Sequence, residues 1–331
     1  MFSNSSQLYN SIFDSNLSNF DEFCFNLFEF QYQNNEIYRK YCNCIGISEP
    51  GTIRTIEKIP FLPISFFKTH RVLSSKQPIQ KVFSSSATGG MGQSHHYITD
   101  LNIYIKSFVS GFERVFGKAQ SYCFLALLPS YLEREGSSLI YMVQHLMNLS
   151  KHPLNGFFLY EHKTLAERIE QLERLNQPYV LFGVSFAMLD FIENARVEMK
   201  IGNIIETGGM KGRKKEITKM EVQTRLREGL KTDFIYSEYG MTELLSQAYA
   251  FHDGMYDCPP WMRILISDPN DPFSYMSTNK TGIINVIDLA NINSCSFIQT
   301  ADLGRKNESG QFEVLGRMDN SELRGCSLMI N

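Results

Sequence analysis

From about residue 95 to residue 236 the chain alternates short apolar runs with longer amphipathic stretches. Residues 122–128, 156–160, 179–184, 202–206 and 233–236 have the length and apolar density of strands. Residues 100–116, 137–149, 162–175, 185–195 and 214–229 have the length of helices. Strands separated by helices of about ten to fifteen residues predict a parallel, α/β architecture, because parallel neighbours need a long crossover and a helix supplies it. Upstream, Phe20, Phe23, Leu27 and Phe30 predict one face of a helix starting near Asn19 or Asp21. Residues 59–64 should be extended, since each of Pro60 and Pro63 disfavours helix at the residue before it. Beyond Pro259 and Pro260 the texture changes to short β runs, at 283–289 and 312–315, with turns between them. The expected division is therefore an α/β region, 1–258, and a smaller, mostly β region, 259–331.

Length and charge narrow the function classes. A chain of 331 residues favours two domains. The net charge of −3 comes with no basic block, which argues against nucleic-acid binding driven by counterion release. No apolar run approaches the ~18 residues of a membrane span. The first twenty residues lack the basic start and apolar core of a signal peptide. Seven cysteines, an odd number scattered at wide spacing, read as reduced cytoplasmic thiols.

Four segments carry candidate chemistry. The first, residues 83–94, reads Phe-Ser-Ser-Ser-Ala-Thr-Gly-Gly-Met-Gly-Gln-Ser. Its hydroxyls and glycines suit a loop that cradles phosphates with backbone N–H groups, although the Gly-Lys-Ser/Thr ending of a Walker A loop is missing. An ordinary surface loop is the alternative. The second follows the apolar run 201–205 and reads Glu206-Thr207-Gly208-Gly209-Met210-Lys211-Gly212-Arg213. It should leave the carboxyl end of a strand, the edge where open α/β sheets bind ligands. Its basic residues would neutralise phosphate or form the solvated start of the next helix.

In the third segment, Tyr236-Ser237-Glu238-Tyr239-Gly240-Met241-Thr242-Glu243, a strand ends at a glycine turn and a further helix is expected to begin. Glu243 would hold Mg²⁺, which takes one or two carboxylates plus phosphate oxygens, or would simply favour the positive end of that helix. In the fourth, from Gln299 to Ile330, Asp302 and Arg317 stand near turns where they would bind ribose hydroxyls or form surface salt bridges. His95 and His96, after the glycine loop, would contact the ligand or, on the reading favoured here, be solvated or capping. Cys42 and Cys44 have neither redox nor zinc spacing, and Cys123, Cys258 and Cys295 read as packing.

In this order the four segments resemble the adenylate-forming superfamily of acyl ligases. SEYGMTELLSQAY, ETGGMKGR and the ending LRGCSLM are most similar to the acyl-protein synthetase family, the fatty-acid-activating component of bacterial luminescence fatty-acid reductases. The resemblance implies an α/β fold: an adenylate-forming-enzyme-like large domain with parallel α/β subdomains and a smaller β-rich C-terminal subdomain. It implies ATP-dependent activation of a carboxylic acid, in this family a fatty acid, to an acyl-adenylate, then acyl transfer to a thiol. Ser85, Ser86, Thr88, Gly89 and Gly90 would grip the phosphates. Gly208 and Gly209 would wall the adenine, and Tyr239, Gly240, Met241 and Thr242 would join adenine to the acyl pocket. Glu243 would bind Mg²⁺, Asp302 the ribose, with Arg317 assisting it.

Two departures from the superfamily pattern matter. Ala87 and Gly89 replace a glycine and a threonine of the usual phosphate loop. The mobile C-terminal domain of larger relatives, with its lysine, is expected to be absent, which makes Lys211, Arg213 and Arg324 the candidate replacement cations. Cys326 would be the acylated thiol, with an acyl-accepting protein or a reductase as partner. Two rival readings are transfer to coenzyme A, as in phenylacetate-type ligases, and a nucleotide-binding scaffold without catalysis.

Overall fold

The structure, a computed structural model, describes residues 11–13, 19–85, 92–129, 136–208, 218–251 and 254–318. It divides into two compact units that interleave along the chain. One takes the described residues up to Ser107, then Thr242–Ser246, then those from Asp257 onward. The other takes Phe108–Met241 and Gln247–Tyr256.

The first unit opens with helices α1 (Phe20–Asn34) and α2 (Glu36–Cys44). Asp21 and Glu22 sit in the first turn of α1, where carboxylates offset the positive end of the helix dipole. Its buried face is Phe20, Cys24, Leu27, Phe28 and Gln31, while Phe30, expected on that face, is exposed. The seam rotates because Gln31 is the residue with buried partners. Its amide donates to the carbonyls of Asn291 and Ile292 at 3.1 and 3.0 Å and accepts from the Ser296 amide at 2.9 Å. Asn35 caps α2 by accepting from the Tyr38 amide at 3.0 Å and also donates to the Ser294 carbonyl at 3.1 Å. The proline-rich stretch is extended as expected and contributes β1 (Leu62–Pro63). Then β2 (Lys81–Ser84) and β3 (His95–Ile98) form an antiparallel hairpin pairing Phe83 with His96 and Ser84 with His95. Helix α3 (Leu101–Phe116) follows, its residues from Phe108 on belonging to the second unit.

The second unit is the parallel α/β body. Its strands are β4 (Cys123–Leu127), β5 (Gly156–Phe157), β6 (Tyr179–Val184), β7 (Asn203–Thr207), β8 (Tyr236–Tyr239) and β9 (Ala248–Ala250). β4 pairs in parallel with β5 and β6, β6 with β7, and β7 with β8, whereas β9 runs antiparallel to β8. Every residue of β4 and all but the last of β6 are buried, the pattern of a parallel sheet covered on both faces. The connecting helices are α4 (Ser138–Ser150), α5 (His162–Arg174), α6 (Ser185–Asn194) and α7 (Lys219–Leu230). α5 buries Leu165, Ile169 and Leu172, one stripe at helical spacing, into a core with Leu125, Leu181, Phe191, Ile204 and Leu226. Each such fully buried aliphatic side chain contributes roughly 1.5–3 kcal/mol. Thr218 caps α7 by accepting from the Glu221 amide at 3.2 Å. β8 begins at Tyr236, three residues later than the strand expected at 233–236.

The chain then returns to the first unit, whose second half is antiparallel: β10 (Met262–Ser267), β11 (Gly282–Asp288), β12 (Phe297–Lys306) and β13 (Phe312–Arg317), each hydrogen-bonded to the next. β1 adds to β12 in parallel, Leu62 opposite Ile298. Phe28, Tyr38 and Phe61 pack on Phe297, with ring centroids 6.0–6.4 Å apart, and fasten the N-terminal helices to this sheet. Between Leu303 and Gly304 the β12–β13 register shifts. A side chain at Gly304 would run into the Glu313 carbonyl, so the kink requires glycine.

Candidate functional site

In the first unit, Ser85 and Ser94 close the base of the glycine loop. The Ser85 amide donates to the Ser94 carbonyl at 3.1 Å, and the Ser94 amide donates to Ser85 Oγ at 3.0 Å. The hairpin thus delivers both ends of the loop side by side. Ser86, Thr88, Gly89 and Gly90 lie outside the described residues.

Glu243 belongs to the same unit. The expected helix from Thr242 is absent: Thr242 and Glu243 form a turn, and regular structure resumes only at Ala248. Two amides of this segment are taken by a distant carboxylate. Asp288, fully buried at the end of β11, accepts from Leu245 N at 2.8 Å, Ser246 N at 3.0 Å and Ser246 Oγ at 2.6 Å. Ser246 Oγ also accepts from Trp261 Nε1 at 3.0 Å. Burial raises the Asp288 carboxyl above the usual carboxylate range, and these donors oppose that shift.

Glu243 itself is 5% exposed. Burial raises its pKa, while a hydrogen bond from Ser94 and the charges of Arg317 and Lys68 pull the other way. Among the described residues no group of three or more His, Cys, Asp or Glu could hold a metal ion. A buried carboxylate beside the β2–β3 hairpin fits a hard cation that takes its other ligands from elsewhere, such as a bound phosphate.

Asp302 and Arg317 face each other across β12 and β13, with Arg317 Nε 3.6 Å from Asp302 Oδ1. Asp302 is held at its amide by Thr300 Oγ1 at 3.1 Å, and Thr300 Oγ1 is anchored on the Ile284 carbonyl at 2.8 Å. The unit therefore brings together Ser85, Glu243, Asp302 and Arg317, as well as Ser94 and Lys68, which sequence reasoning did not single out, and His96, which it weighed between ligand contact and a solvated or capping role.

His96 is not solvated. It is 1% exposed, packs edge-on against Phe67 and has its Nδ1 2.9 Å from the Thr242 carbonyl. Burial pushes its imidazole down to about 4, so the ring is neutral at physiological pH. Because a carbonyl only accepts, the proton sits on Nδ1. Alternation along β3 was the one signal that could have placed His96 inward.

In the second unit, Glu206 and Thr207 of β7 neighbour Ser237 and Glu238 of β8 at the carboxyl ends of two parallel strands. The Ser185 and Ser237 hydroxyls donate to Glu206, and Gln223 Nε2 donates to Ser237 Oγ at 3.0 Å. Thr207 donates to Glu238, whose carboxyl is raised to about 7, chiefly by burial and further by Glu206. Gly208 follows with φ +72°, a conformation suited to glycine. A side chain at Gly240 would run into the Glu238 carboxylate. Tyr239 packs edge-on against Tyr256, ring centroids 5.8 Å apart. The segment from Tyr239 to Glu243 leaves this unit after Met241, and Thr242 and Glu243 belong to the first. Gly209, Lys211, Arg213, Arg324 and Cys326 lie outside the described residues. Of the three thiols read as packing, Cys123 and Cys295 are fully buried and pushed up to about 12 by burial, whereas Cys258 is only partly buried.

This architecture is that of the adenylate-forming ligases. ATP-bound MatB from Rhodopseudomonas palustris superposes with a TM-score of 0.57 at 13% identity, over 73% of this chain and 49% of that one. A 2-hydroxyisobutyryl-CoA ligase in complex with 2-HIB-AMP and CoA superposes with a TM-score of 0.65 at 11% identity in its open conformation, over 91% of this chain and 69% of that one. In its thioesterification state the same ligase gives 0.65 at 11% identity, over 96% and 70%. The chain spans about half the length of the MatB structure it matches. No curated protein matches it. Residues 5–331 match the family described as acyl-protein synthetase, LuxE, and the chain belongs to that family. Among the described residues no helix is long and apolar enough to cross a membrane.

Proposed function

We propose that this acyl-protein synthetase family member uses ATP to convert a carboxylic acid, a fatty acid by family resemblance, into an acyl-adenylate and then passes the acyl group to a protein thiol. The observation that carries the reading is the placement of Glu243, a buried carboxylate hydrogen-bonded to the hairpin that presents the phosphate-type loop. In the first step a substrate carboxylate oxygen attacks the α-phosphorus of ATP and pyrophosphate leaves. In the second, a thiolate attacks the acyl carbon and AMP leaves.

Attack of an anion on a polyanion is repelled, so the residues must lower that charge barrier. Ser85, Ser86, Thr88, Gly89 and Gly90 offer the triphosphate amide and hydroxyl donors. Gly208, Gly209, Tyr239, Gly240, Met241 and Thr242 serve the base and the acyl pocket. Asp302 binds the ribose hydroxyls with Arg317 beside it. Glu243 holds Mg²⁺, which when bound supplies positive charge to the phosphate oxygens. Lys211, Arg213 and Arg324 are the candidate cations for the α-phosphate. Cys326 is the proposed thiol acceptor, a protein or reductase partner receives the acyl group from it, and the odd, scattered cysteines support a cytoplasmic setting.

Intact-protein mass after incubation with Mg-ATP and a panel of acids tests the acceptor. A hydroxylamine-labile acyl increment on the wild type that is missing from Cys326→Ala is the expected result and names the acid class. No increment on either protein would overturn self-acylation and leave an external thiol or a nucleotide-binding scaffold.

A further inference from the structure

The turn that carries Glu243 has no regular hydrogen bonding of its own and is held by side chains from distant parts of the first unit. Asp288 secures the amides of Leu245 and Ser246 behind Glu243. At Glu243 itself, His96 Nδ1–H donates to the preceding carbonyl, that of Thr242, at 2.9 Å. Asn291 Nδ2–H donates to the carbonyl of Glu243 at 2.7 Å. These two carbonyls belong to the peptide planes on either side of the Glu243 Cα. With both planes fixed, φ and ψ of Glu243 are fixed, and with them the direction of its Cα–Cβ bond.

Both tethers are themselves rigid. His96 sits in the strand after the glycine loop, paired with Phe83 and packed on Phe67. Asn291 is 0% exposed, and its own carbonyl accepts from Gln31 at 3.1 Å. The other polar atoms, His96 Nε2 and Asn291 Oδ1, are buried, and the two side chains interact with one another. An apolar residue at either position would leave the Thr242 or the Glu243 carbonyl without its donor.

We propose that His96 and Asn291 are positioning residues for Glu243: together they hold the two peptide planes that aim its carboxylate toward the phosphate-loop hairpin. The inference rests on the reading of Glu243 as the cation ligand.

The experiment is a Mn²⁺ titration followed by electron paramagnetic resonance, with α,β-methylene-ATP present so that no turnover is required. His96→Phe keeps a ring against Phe67 and removes the N–H. His96→Asn keeps an N–H near the position of Nδ1. The expected result is that His96→Phe and Asn291→Ala each weaken Mn²⁺ binding roughly tenfold or more, while His96→Asn stays within about threefold of wild type. Melting curves on the same samples identify any variant that has unfolded, and if His96→Phe does not fold, Asn291→Ala decides alone. Wild-type affinity in folded His96→Phe or Asn291→Ala would overturn the proposal, as would His96→Asn binding as weakly as His96→Phe. A wild type that takes up no Mn²⁺ would instead overturn the reading of Glu243, and this inference with it.

Discussion

Arg317 Nε stands 3.6 Å from Asp302 Oδ1, where β12 and β13 pair the two residues directly. The pair is lopsided: the arginine side chain is 69% exposed and the carboxylate 17%. Such a half-exposed pair adds little to folding, about 0–1 kcal/mol, so its position where β12 pairs with β13 calls for another explanation. A ribose accepts and donates hydrogen bonds at neighbouring hydroxyls, and this carboxylate and guanidinium supply both kinds of partner.

Asp302→Ala and Arg317→Ala should therefore separate folding from nucleotide binding. Urea unfolding is expected to change by less than about 1 kcal/mol for Arg317→Ala. Calorimetric ATP affinity should fall in both variants, by roughly tenfold for Asp302→Ala, the equivalent of about 1.4 kcal/mol. Unchanged ATP affinity in both would remove the ribose assignment.

Asp288 should behave as a structural acid. Its carboxylate accepts from three backbone amides, Leu245, Ser246 and Ala290, and from the Ser246 hydroxyl. Asp288→Ala strips these donors of their acceptor inside a buried site, a loss of roughly 3–5 kcal/mol in chemical unfolding. Asp288→Asn keeps one acceptor oxygen and should lose less. Equal stability of the two variants would mean that the carboxylate network is not what holds the turn.

Gln31 is expected to matter as much as an apolar core residue. Gln31→Leu is close in volume yet leaves the carbonyls of Asn291 and Ile292 and the amide of Ser296 without their partner. Each orphaned group costs about 1–3 kcal/mol, so thermal unfolding should move down by several degrees. A leucine variant that melts with the wild type would show that water replaces the amide without cost.

Glu238 gives the fold a defined pH dependence. Its folded pKa is raised from 4.5 to about 7, mainly by burial. The folded state then binds a proton more tightly than the unfolded state does. The associated stability is fully present below about pH 4.5 and is lost as pH rises through about 7. Glu238→Gln removes this titration, so the wild-type minus variant difference in unfolding free energy should fall by roughly 3 kcal/mol across that interval. Parallel pH profiles for the two proteins would contradict the shift.

The parallel body was legible because each element carries its own local signal. Residues 179–184 are apolar throughout, and Leu165, Ile169 and Leu172 mark one helical stripe. The turn at Glu243 was not legible, because Thr242-Glu243-Leu244-Leu245 reads locally as a helix start. The segment is instead tied to Asp288, which takes the amides of Leu245 and Ser246 from more than forty residues downstream. His96 escaped for the same reason. Nothing beside it in the chain announces that its partner is the Thr242 carbonyl. Gln31 likewise turned the face of α1 away from Phe30 through contacts with residues 291–296. Local periodicity records burial of apolar surface well, but a buried polar residue is defined by whichever distant group satisfies it.

The central claim, formation of an acyl-adenylate, is tested most directly by exchange of labelled pyrophosphate into ATP, with and without added fatty acids, in wild type and Glu243→Gln. The expected result is exchange that depends on both Mg²⁺ and the acid and falls at least about a hundredfold in the variant, because Glu243 is the proposed holder of the cation that would neutralise the phosphates. Nucleotide binding without acid-dependent exchange by the wild type would contradict the account and leave the chain a scaffold that keeps the fold of a ligase.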